Sequence, residues 1–120
     1  MYRSEVHVDL GVAGVTVLEL LADYDLATAE ELRAAIDHAL ADRPGLVIDL
    51  SETTFIDSTV VHLLINAHQV LEARGHELIV QVTEASAVLR VLELTQLDSA
   101  LGIARDRDQA IASAMDGLAL

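Results

Sequence analysis

Residues 5–10, Glu-Val-His-Val-Asp-Leu, alternate polar and apolar positions with a period of two. That is the pattern of a strand with one covered face. Gly11 to Gly14 read as a turn, and Val-Thr-Val-Leu-Glu-Leu-Leu at 15–21 reads as a second, more buried strand. The two pair most simply as a hairpin. After the loop 22–28 the period changes to that of a helix: Leu32, Ala35, Ile36, Ala39 and Leu40 share one face. Thr28 with Glu31 fits a capping box, and Pro44-Gly45 closes the helix. Leu46-Val47-Ile48-Asp49-Leu50 is a short, almost wholly apolar run, suited to a central strand covered on both faces.

A second helix is predicted from Ser58 to Arg74, stopped by Gly75, with Val60, Val61, Leu64, Ala67, Val70 and Leu71 forming a wide apolar face. His62, Asn66 and Gln69 fall on another stripe. A fourth strand follows at 77–82. Thr83 is expected to cap a helix over 85–94 in which Val88, Leu89, Leu92 and Leu94 are apolar. A short last strand is expected within 97–103. A final helix opens at Arg105-Asp106-Arg107-Asp108 and turns Ala110, Ile111, Ala114, Met115 and Leu118 inward. Two strands followed by alternating helices and strands predict one α/β domain over residues 1–120. Its sheet is mixed, with four to five strands, and packs against about four helices.

Over half of the 120 residues are apolar, yet there is one Phe and no Trp, so small and branched aliphatics must fill the core. Seven basic residues, all Arg, face twenty acidic ones, a net charge of −13. Such a surface repels nucleic acid and anionic lipid, so neither is expected as a partner. The N-terminus lacks the features of a signal peptide, and no apolar run reaches membrane-spanning length. Together these features predict a cytoplasmic protein.

The residues for most catalysis are missing. There is no cysteine, no lysine and no Gly-rich phosphate loop. The five histidines show no metal-ligand spacing, and Ser58 lacks the Gly-x-Ser-x-Gly elbow of a nucleophile. No enzyme, metal or cofactor is expected. The remaining chemistry lies where a strand gives way to a helix, at Asp57-Ser58-Thr59. The first N–H groups of a helix have no intrahelical partner, and the helix dipole favours negative charge there. On these grounds Ser58 reads either as an N-cap, which stabilises a helix by about 1 kcal/mol, or as a hydroxyl able to carry a phosphate.

Ala22-Asp23-Tyr24-Asp25-Leu26-Ala27-Thr28-Ala29-Glu30-Glu31-Leu32 resembles the loop and first helix of STAS domains, the anti-sigma factor antagonists. Leu50-Ser51 with Thr54-Phe55-Ile56-Asp57-Ser58-Thr59 resembles their phosphorylation segment. Arg74-Gly75-His76-Glu77-Leu78 and the run from Val88 to Leu97 resemble their later landmarks, so the likeness covers nearly the whole chain in order.

The resemblance implies that Ser58 accepts phosphate from an anti-sigma factor, a serine kinase that itself binds ATP. The unphosphorylated antagonist captures that kinase and frees a sigma factor for transcription; a metal-dependent serine phosphatase reverses the modification. It also implies that Asp23, Asp25, Asp57, Thr59, Val60 and His62 line the partner surface. Ala22 replaces a loop glycine of the family, while Val60 and His62 replace small residues and would enlarge the first helical turn beside Ser58. The alternative within the same family is a scaffold subunit of a stressosome-like or transporter-associated assembly.

Overall fold

In a computed structural model, residues 6–12, 14–20, 26–42, 44–83 and 86–116 are described. The elements run β1 (Val6–Val12), β2 (Val15–Leu20), α1 (Leu26–Asp42), β3 (Gly45–Asp49), α2 (Ser58–Ala73), β4 (Leu78–Gln81), α3 (Ala87–Leu94), α4 (Leu97–Ala100), β5 (Gly102–Ala104) and α5 (Arg107–Asp116). The strands form one sheet in the order β1-β2-β3-β4-β5. β1 and β2 make the expected antiparallel hairpin, and β2 to β5 are parallel.

Strand alternation divides the core into two layers. Leu18, Leu20, Leu46, Ile48, Leu78 and Val80 face a layer built with α1, α2 and α3. Val15, Val17, Val47, Ile79 and Ala104 face α5, whose Ala110 and Ala114 are buried one turn apart. The small alanines let α5 lie close on the sheet. The parallel strands are therefore covered on both faces, as their unbroken apolar runs require.

Several boundaries differ from the sequence reading. β1 continues through Gly11 and Val12, because the register shifts by one residue between Asp9 and Val12 and absorbs the extra position as a bulge. The tight turn then falls at Gly14, whose φ is +81°. α1 is already helical at Leu26, so Thr28 lies inside its first turn instead of capping it. The cap of α3 is Ser86, whose Oγ accepts from Leu89 N–H at 3.0 Å, and not Thr83. Leu94 and Met115 point outward, 73% and 46% exposed. Leu94 ends α3 just before the chain reverses through left-handed Gln96, and Met115 lies beside the Ala110/Ala114 stripe. Leu118 is outside the described residues. A fifth helical segment, the single turn α4, was not expected.

Candidate functional site

The loop between β3 and α2 leaves the C-terminal ends of the parallel strands and is tied down along its length. Leu50 N–H donates to Gln81 C=O at 2.8 Å. Asp49 Oδ1 accepts from both Ser51 N–H, at 2.8 Å, and Ser51 Oγ–H, at 2.6 Å. The buried Thr53 hydroxyl donates to Leu20 C=O at 3.2 Å. Ile56 enters the core at 3% exposure, while its neighbour Phe55 stands out at 57%.

Asp57, with extended backbone, then caps α2: its Oδ1 accepts from Thr59 N–H at 2.8 Å and Val60 N–H at 3.3 Å. The cap is therefore Asp57 and not Ser58. An aspartate serves well there, since its charge also opposes the positive end of the helix dipole. Ser58 becomes the first helical residue, with its side chain exposed.

Of the residues expected at the partner surface, Asp57, Thr59 and His62 are exposed, and His62 follows Ser58 by one turn on the same face. Val60 does not join them. It is wholly buried and packs in the core with Leu64, Ala67 and Leu71, continuing the apolar face of α2. Only its amide serves the surface, by completing the Asp57 cap. Asp23 and Asp25 lie outside the described residues.

The loop's anchor is itself held by a charge cluster that the sequence reading missed. Glu19, Asp49 and Gln81 stand side by side in register across β2, β3 and β4, on the face covered by α5. Arg107, the first residue of α5, lies over this row. Its Nη2 donates to Asp49 Oδ2 at 2.7 Å and meets Glu19 Oε2 at 3.3 Å. Its Nη1 reaches Asp9 Oδ2 at 3.3 Å, and its Nε donates to Gln81 Oε1 at 3.1 Å. Burial works against the charge on this guanidinium. The Asp49 hydrogen bond and the fields of Asp49, Glu19 and Asp9 outweigh it and hold the group above its ordinary pKa. Asp49, buried at 3% exposure, thus joins two halves of the site: one oxygen receives Arg107, the other receives Ser51. The lone aspartate in the apolar run of β3 is the signal that could have pointed to it.

Phe55 was also missed as a surface residue. It is the single Phe of the chain and exposed within a few residues of Ser58. No group of three or more His, Cys, Asp or Glu among the described residues is arranged to hold a metal ion. No described helix is long and apolar enough to cross a membrane.

Comparison with solved structures finds the same fold over nearly the whole chain. An anti-sigma factor antagonist from Mycobacterium paratuberculosis superposes with a TM-score of 0.80 at 28% identity, covering 92% of this chain and 93% of that one. The anti-sigma factor antagonist SpoIIAA in its unphosphorylated form gives 0.72 at 18% identity, covering 93% and 98%. The Bacillus cell fate determinant SpoIIAA in its phosphorylated form gives 0.69 at 20% identity, covering 95% and 99%. A comparison with curated proteins gives no match. The family model of the STAS domain matches residues 7–110, and the chain belongs to that family.

Proposed function

We infer that this protein is an anti-sigma factor antagonist whose partner binding is switched by a phosphate on Ser58. The observation that carries the reading is the placement of Ser58: an exposed hydroxyl at the first position of α2, directly after a loop held at Ser51, at Thr53 and by the Asp57 cap. SpoIIAA, which shares the fold, exists in an unphosphorylated and a phosphorylated form, which supports the same reading here.

The geometry refines how such a switch works. Thr59 and Val60 N–H are already taken by Asp57, so a phosphate on Ser58 is not drawn inward to cap the helix. It stays on the surface as a bulky group of about −1.5 to −2 charge beside the Asp57 carboxylate. The fold survives, and the cost falls on any partner seated over Phe55, Ser58 and His62, through like-charge repulsion and desolvation.

In this scheme the partner is an anti-sigma factor serine kinase that holds the ATP, and a serine phosphatase restores the binding form. The protein itself binds and releases but transforms no substrate, and it works in the cytoplasm where sigma factors act. Mapping of phosphosites on protein recovered from its native cells tests the proposal. Phosphate is expected on Ser58 and absent from the Ser58→Ala variant; phosphate confined to Thr59, or found on neither residue when the partner and ATP are supplied, contradicts it.

A further inference from the structure

A cleft lies at the same end of the sheet, beyond β4 and β5. The connections after β2, β3 and β4 lead to α1, α2 and α3 on one face, whereas the connection after β5 leads to α5 on the other. The chain therefore parts in opposite directions beyond the C-terminal ends of β4 and β5. The strand order does not reverse, but connections that part to opposite faces leave a crevice between them, as at the switch points where open α/β sheets bind small ligands. A cleft of about 690 Å³ opens beside these connections, between the first turns of α3 and the segment that follows β5. Its size falls within the range of small-molecule sites.

Two arginines line this cleft, Arg90 from α3 and Arg105, the residue that follows β5. Their presence is notable in a chain of net charge −13. The other described arginines are engaged: Arg33 with Glu30, Arg74 with Leu40 C=O, and Arg107 in its carboxylate cluster. Among the described residues Arg90 and Arg105 have no ion pair or side-chain hydrogen bond. The backbone of Arg105 is held in place, its N–H donating to Gln109 Oε1 at 2.7 Å while Asp106 Oδ1 accepts from Gln109 N–H at 2.8 Å. Leu89 and Val91 supply an aliphatic wall, and Glu93 places one carboxylate on the cleft as an acceptor. Two arginines lining one cleft suit an oxyanion, because each guanidinium offers a planar fork of donors.

We propose that the cleft between Arg90 and Arg105 binds a small organic anion, its carboxylate or phosphate held by the two guanidiniums and its hydrocarbon part against Leu89 and Val91. This site is separate from Ser58 and does not depend on the switch. It would give the protein a ligand input at the end of the sheet that presents the switch loop.

The test titrates ¹⁵N-labelled protein with inorganic phosphate, with butyrate and with an acidic peptide (hexaglutamate), each against sodium chloride of matched ionic strength. Backbone amides of residues 86–91 and 105, and the Nε–H signals of the two arginines, report binding. Saturable shifts with phosphate or with butyrate, at a Kd on the order of 10 mM or tighter, support the site and say which oxyanion it prefers. The Arg90→Gln and Arg105→Gln variants, whose side chains are exposed and whose amide spectra verify folding, should each bind at least about tenfold more weakly. Shifts that never saturate, that sodium chloride reproduces, or that persist unchanged in both variants overturn the proposal. Saturation by the peptide alone overturns it as well, since the cleft would then be a docking surface for an acidic protein segment.

Discussion

Replacing Arg107 by Met keeps most of the hydrocarbon stem and removes the charge that holds the row Glu19, Asp49 and Gln81. The ion pairs that the substitution removes are unequal in strength. The Asp9 and Glu19 side chains are 42% and 24% exposed, so solvent screens them and each pair contributes about 0.5 kcal/mol at most. The Asp49 side chain is 4% exposed and keeps only the Ser51 donors once Arg107 is gone. Stranding that carboxylate costs about 2 kcal/mol. The sum is about 3 kcal/mol, which lowers Tm by about 12 °C in a chain of this length.

Differential scanning calorimetry measures the single variant. A double variant with Asp49→Asn isolates the buried charge, because neutralising Asp49 removes what Arg107 had to compensate. The double variant should regain about 1 kcal/mol relative to Arg107→Met alone. A fall of less than about 3 °C for Arg107→Met, or simple additivity of the two substitutions, would refute the idea that Arg107 neutralises a buried anchor.

Three further substitutions separate stability from binding. Asp57→Ala leaves Thr59 and Val60 N–H without their acceptor and should cost about 1 kcal/mol by denaturant unfolding; an unchanged midpoint would contradict the cap assignment. Gly45→Ala would bring a Cβ within 2.8 Å of Gly14 C=O, the oxygen that accepts Gly45 N–H at 2.7 Å, so the strand must shift. Its expected cost is about 1–3 kcal/mol by the same measurement, and a neutral result would mean that the β1–β2 turn yields freely. Phe55→Ala should change stability by less than about 1 kcal/mol, since the ring is mostly exposed, yet weaken partner capture about tenfold. Equal capture with and without the ring would remove Phe55 from the docking surface.

The elements were legible where one period ran unbroken. The apolar run at 15–20 and the helical spacing of Leu32, Ile36, Ala39 and Leu40 read directly as buried segments. The caps were less legible, because Asp, Ser and Thr compete for the same role. At Asp57-Ser58-Thr59 three such residues stand in a row, and only backbone geometry shows which one accepts the helix N–H groups.

Val60 is instructive. Its spacing with Leu64, Ala67 and Leu71 already marked it as core, and the family likeness drew it outward to the partner surface. The Arg107 cluster was not legible because it joins residues up to 98 positions apart. Glu19, Asp49 and Gln81 become neighbours only through strand register, which no local pattern encodes. The cleft between Arg90 and Arg105 likewise follows from α3 and α5 lying on opposite faces of the sheet.

The central claim is that charge at Ser58 controls what this protein binds while leaving its fold intact. The most direct test captures partners from native cell extract with wild-type and Ser58→Asp proteins side by side and quantifies them by mass spectrometry, with matching unfolding curves as the control. The account predicts a kinase-like anti-sigma factor held by the wild type and depleted by about tenfold or more on Ser58→Asp. A folded Ser58→Asp protein that retains the same partners in the same amounts would contradict it. Ser58 would then be only the first residue of α2, and the protein a scaffold subunit not switched by charge at that position.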